Sequence, residues 1–119
     1  MNTTNTTMNI AIDEHIIRIV VVTLSDRVDA FNAPALRERL DGLLADGVAR
    51  FVLDLARVPF MDSAGMAVLV GTMKQARQAG GDAKLVWPAS DAAQRVLRLT
   101  RFDRVFDMSE SAEAALAAF

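Results

Sequence analysis

The chain contains no cysteine, which removes disulfides, thiolate nucleophiles and cysteine metal sites together and agrees with a reducing cytoplasm. It has a single histidine. His15 falls in an expected turn with Asp13 and Glu14, where a base or triad would need partners held in place, so it reads as an exposed loop residue and not as a catalytic base. Long apolar runs are missing as well. Ile16 to Leu24 is broken by Arg18 and Met66 to Met73 contains Gly71, both short of the ~18 apolar residues of a membrane span. No membrane insertion is expected. A basic excess is also absent: the net charge is -2 and the basic residues are spread among acidic ones, which argues against direct nucleic-acid binding. Asp29, Asp54 and Asp62 lack a phosphate-cradling glycine loop, for which Gly80-Gly81 is too short. No catalytic residue, metal site or cofactor is therefore expected, and the chain is read as a docking protein.

What is present suits one folded unit. With 119 residues, 52% of them hydrophobic and 24% charged, the chain can close a single core. Residues 1–8, MNTTNTTM, are polar, repetitive and aperiodic, and read as a disordered leader to a domain at 9–119. The sequons at Asn2 and Asn5 would matter only in a secreted protein, and no basic segment followed by an apolar run opens the chain, so secretion is not expected.

Residues 9–13 alternate polar and apolar, and 16–23 are rich in β-branched side chains, which predicts two strands joined as an antiparallel hairpin. Pro34 opens a helix to Asp46 on the face Leu36, Leu40, Leu43 and Leu44, with Asn32 as a candidate cap and Gly47 as its stop. Phe51 to Leu55 reads as a buried central strand, with Asp54 accepting from loop amides. A second helix runs from Ser63 to about Ala79, with Ala67, Val70, Met73 and Lys74 stepping around one side, and Gly80-Gly81 forces its exit. A strand at 84–87, a helix at 92–99 capped by Ser90 or Asp91, a strand at 105–108 and a helix from about Glu110 complete the pattern. The order predicts an α/β fold, a mixed sheet with an N-terminal hairpin and four helices. Helical spacing assigns Met66 and Met73 to the core, and Trp87 to packing.

The segment Phe60-Met61-Asp62-Ser63-Ala64-Gly65-Met66 joins the buried strand to the second helix. Unpaired N–H groups and the helix dipole favour negative charge there, so a phosphate on Ser63 would be tolerated. Asp62 can cap the helix and leave the Ser63 hydroxyl at the surface, while Gly65 would let another backbone approach closely. Serine and aspartate are also the commonest cap residues, so a purely structural role stands beside the functional one.

This segment resembles the D-S-[SA]-G-[LM] signature of the STAS domains of bacterial anti-sigma factor antagonists. The order of elements, the Val28-Asp29 loop, Gly80-Gly81 and the segment from Phe102 to Met108 extend the resemblance over about residues 8–119. It implies phosphorylation of Ser63 by an anti-sigma factor serine kinase with a histidine-kinase-like ATP site, and resetting by a PP2C-type phosphatase. It also implies partner-binding roles for Asp29, Asp62, Ser63, Ala64, Gly65 and Met66. The chain departs from the pattern at Asp26-Arg27, where many members have Gly-Glu, and at Ala64, which leaves Ser63 as the motif's only hydroxyl. Alternatives are a STAS subunit or scaffold of a transporter or sensory complex without a phosphoswitch, and a small-molecule-binding domain.

Overall fold

The β-branched run forms β2 (Ile19–Leu24), the strand on which the sheet is organised. In a computed structural model describing residues 8–14 and 18–119, β1 (Ile10–Glu14) lies antiparallel to β2. The strands β3 (Arg50–Asp54), β4 (Asp82–Val86) and β5 (Asp107–Ser109) follow in parallel. The sheet order is β1-β2-β3-β4-β5, so order in the sheet equals order in the chain. The helices are α1 (Ala33–Ala45), α2 (Ser63–Gln78), α3 (Asp91–Leu99) and α4 (Ala112–Ala117). This is the mixed α/β fold expected from the pattern.

Strand side chains alternate between two apolar layers, as the twofold period of a strand requires. Val20, Val22 and Leu24 of β2, Phe51 and Leu53 of β3, and Ala83 and Leu85 of β4 share the larger core with Leu36 and Leu40 of α1, Met66, Leu69 and Met73 of α2, and Leu97 of α3. Ile19, Val21, Val52 and Val86 face the other way, where Ala115 of α4 covers them with Leu116 and Phe119. Lys84 points to this second side. It is 6% exposed, its ammonium pairs with Asp107, and it sits 4.6 Å from the centre of the Phe119 ring.

Several local readings shift. His15 and the hairpin turn, like residues 1–7, lie outside the described residues. Met8, expected in the leader, is buried in the core at 4% exposure, and the Asn9 amide donates to Asp26 Oδ2 at 2.7 Å. The buried face of α2 runs through Met66, Val68, Leu69, Thr72, Met73 and Ala76, whereas Ala67 and Lys74 are exposed. Asn32 occupies the N-cap position of α1 as expected but makes no side-chain cap bond; its side chain donates to the Arg27 carbonyl, and the Asp29 carboxylate accepts from the amides of Phe31 and Asn32. The stretch at 102–106 opens as a 3-10 turn (Phe102–Arg104), which delays β5 to Asp107. Gly47 is left-handed at φ +91, and the Asp54 carboxylate accepts from the Ala56 amide at 3.0 Å, both as expected.

Candidate functional site

Two segments meet at the start of α2. The loop after β2 and the segment after β3 are tied by backbone hydrogen bonds from Val28 N to Phe60 O (2.9 Å) and from Asp62 N to Val28 O (3.1 Å). Val28 and Met61 form a parallel bridge, with both side chains fully buried. The anchoring is apolar; what it holds in place is polar.

Asp62 is the N-cap of α2, with extended backbone and one carboxylate oxygen accepting from Gly65 N at 2.9 Å. Its other oxygen accepts from Ala30 N at 3.1 Å, so a single carboxylate joins the helix start to the neighbouring loop. The Gly65 amide is the chief cause that holds the Asp62 carboxyl below the usual carboxylate range; burial opposes it, and the amides of Ala30 and Ala64 add smaller lowering effects. The group is a firmly ionised anion at neutral pH.

Because Asp62 satisfies the cap, Ser63 does not have to. Its side chain is exposed and its hydroxyl makes no hydrogen bond within the described residues. Ala64 is exposed beside it and lines a shallow groove of about 510 Å³ with Ala30, Pro34 and Arg37. Gly65 and Met66 lie beneath the surface, Met66 at 0% exposure, because their side of the helix is turned into the core. The close backbone approach expected at Gly65 is real, but the backbone is the chain's own, at Val28.

Asp29 is also drawn inward. It is 8% exposed, its Oδ1 accepts from Phe31 N at 3.0 Å and Asn32 N at 3.1 Å, and its Oδ2 lies 3.4 Å from Arg27 Nε. Its carboxylate shapes the loop, and Ala30 and Phe31 form the loop's outer surface. Phe31, 81% exposed, and Phe60, 42% exposed, were not singled out from the sequence. The available signal was an aromatic residue in a loop segment with no periodic apolar partners. Among the described residues, no three His, Cys, Asp or Glu side chains are grouped so as to hold a metal ion, and no helix is long and apolar enough to cross a membrane.

The STAS-domain family model matches residues 8–115. The chain belongs to the STAS family. Over 100 residues it is 33% identical to the anti-sigma-B factor antagonist of Bacillus subtilis (strain 168), covering 82% of this chain and 87% of that one. An anti-sigma factor antagonist from Mycobacterium paratuberculosis superposes with a TM-score of 0.82 at 28% identity, over 94% of this chain and 93% of the other. The Bacillus protein SpoIIAA shares the fold in both its solved states. The unphosphorylated form gives a TM-score of 0.71 at 18% identity, over 92% of this chain and 96% of that one. The phosphorylated form gives 0.70 at 19%, over 93% and 100%.

Proposed function

We propose that this STAS domain is an anti-sigma factor antagonist, which docks an anti-sigma factor serine kinase through the surface around Ser63 and is switched off when that serine is phosphorylated. One observation carries the reading: the Ser63 hydroxyl is exposed and unbonded at a helix start whose capping is done by Asp62. In the transfer, the Ser63 oxygen attacks the γ-phosphorus of the kinase's ATP, the bond to ADP breaks, and the hydroxyl proton departs to solvent or a kinase base. A PP2C-type phosphatase returns the hydroxyl by hydrolysis, and the cycle belongs in the cytoplasm.

The switch is electrostatic. Phosphoserine adds about -1.5 to -2 charge beside the ionised Asp62 carboxylate. An interface that covers Ser63 would have to desolvate both anions, so docking weakens. The fold has no reason to change, since first-turn amides of a helix accommodate an anion. The similar superposition on SpoIIAA in its two states supports that expectation. The exposed Phe31 supplies an apolar anchor next to the switch, the kind of side chain that dominates interface energetics.

The test is intact-mass analysis and peptide mapping across residues 60–74 of protein recovered from its native cells, followed by partner capture with and without the phosphate. Phosphate on Ser63 and loss of the partner on phosphorylation are expected. Equal binding by both forms overturns the switch, and stable copurification with a membrane transporter whatever the state of Ser63 would favour the scaffold role.

A further inference from the structure

Four of the chain's 13 basic residues, Arg95, Arg98, Arg101 and Arg104, recur at every third position through α3 and the turn that follows. All four are exposed. Among the described residues Arg95, Arg101 and Arg104 form no ion pair, while Arg98 lies over the Trp87 ring at 5.3 Å from its centre. Apolar side chains stand among them: Leu99 is 76% exposed, Phe60 42% and Val105 39%. Phe60, Asp91, Arg95, Val96, Arg98 and Leu99 line an open groove of about 800 Å³. In a chain of net charge -2, this is a local reversal of sign joined to uncovered apolar surface.

We infer that the α3 groove is a second docking surface, which takes an acidic amphipathic segment of a protein partner. Its carboxylates pair with Arg95 and Arg98, and its apolar side chains settle on Phe60, Val96 and Leu99. Charge complementarity selects the occupant. Arginine forks bind carboxylates in defined geometry, and apolar side chains between them reward a segment carrying both kinds of group. Residues 1–7 carry no acid, so that segment of the chain is not the occupant. A nucleic-acid strand is the poorer fit, because Phe60 is the one ring that lines the groove and Arg98 already covers the neighbouring Trp87. A lipid surface is flat where this feature is concave. The groove borders the Ser63 segment at Phe60, but the arginines that select its occupant lie on α3 and the inference does not depend on the phosphate.

The test titrates the isotope-labelled full chain with a short synthetic peptide in which glutamates surround leucines spaced at i and i+4. Amide shifts concentrated at Ala92, Val96 and Leu99 are expected, with affinity falling as salt rises. Arg95→Glu should weaken binding about tenfold, the loss of a charge-assisted pair, and Leu99→Ser should weaken it with no loss of fold, since Leu99 is exposed. Ser63→Glu should bind the peptide unchanged, which separates this surface from the switch. No shift in the groove, equal binding of a peptide with lysine in place of glutamate, or tighter binding there of phosphatidylserine vesicles or single-stranded DNA would each overturn the inference.

Discussion

A Cβ placed on Gly65 would lie 2.1 Å from the carbonyl oxygen of Val28. That oxygen accepts from the Asp62 amide, so the glycine keeps open the seam along which the loop and the helix start are joined. Gly65→Ala should therefore cost about 1–3 kcal/mol by overpacking, and free the loop from α2. At Gly71, in the same helix, a Cβ would meet nothing within 4 Å. Gly71→Ala should instead stabilise by about 0.5–1 kcal/mol. Urea unfolding of the two variants gives opposite signs if the seam is the cause.

Asp62→Ala removes both the helix cap and the bond to Ala30, and should cost about 1–2 kcal/mol, with Asp62→Asn milder because an acceptor oxygen survives. The carboxyl's pKa is lowered in the folded state, so the folded chain binds fewer protons there than the unfolded one. Its contribution is present above about pH 4 and is lost as the pH falls through the lowered folded value. The difference in urea midpoint between the parent chain and Asp62→Asn should shrink across that acid range.

Ser63→Ala should leave stability within about 0.5 kcal/mol, since the side chain is exposed and unbonded. Thermal unfolding of the unmodified, alanine and phosphorylated forms should nearly coincide, while partner capture separates the phosphorylated form from the other two. A large stability loss in Ser63→Ala would return the residue to a capping role.

Phe31→Ala should be silent in unfolding and costly in docking. The ring is 81% exposed, so little folded-state packing is lost, while an aromatic anchor in an interface carries about 2 kcal/mol or more. Calorimetric titration with the captured partner, set beside an unfolding curve, checks both halves.

Lys84 presents a different balance. Its side chain is 8% exposed and that of Asp107 is 52% exposed. Removing the acid strands a buried cation, so Asp107→Ala should destabilise by about 1–2 kcal/mol, below the figure for a fully buried pair. Lys84→Met should be neutral or stabilising, because the thioether can still pack on Phe119. Unfolding midpoints of the two variants decide.

The succession of strands and helices was legible because its signals are local. A β-branched run, a proline at a helix start and glycines at two helix ends act over a few residues. The buried face of α2 was not, since Met66, Ala67, Val68, Leu69 and Val70 are apolar on every side and only packing chooses among them. That Asp29 and not Asn32 supplies the side-chain acceptor at the entry to α1 depends on where the loop is tethered, a contact 32 residues away in sequence between Ala30 and Asp62. The same distance effect governs the site. Ser63 and Asp62 were readable as a motif, but that Gly65 faces Val28, that Asp29 turns inward and that Phe31 turns outward are outcomes of two loops meeting.

The sheet order β1-β2-β3-β4-β5 bears on how the chain reaches its fold. Each strand pairs with its successor in the chain, and the parallel pairs close across helical crossovers, so pairing follows the order of synthesis at the slower pace of parallel sheets. Both halves of the Ser63 surface come from the first three strands and α2. During synthesis from the N-terminus, the segments that form that surface are therefore available to one another before β5 and α4 have left the ribosome.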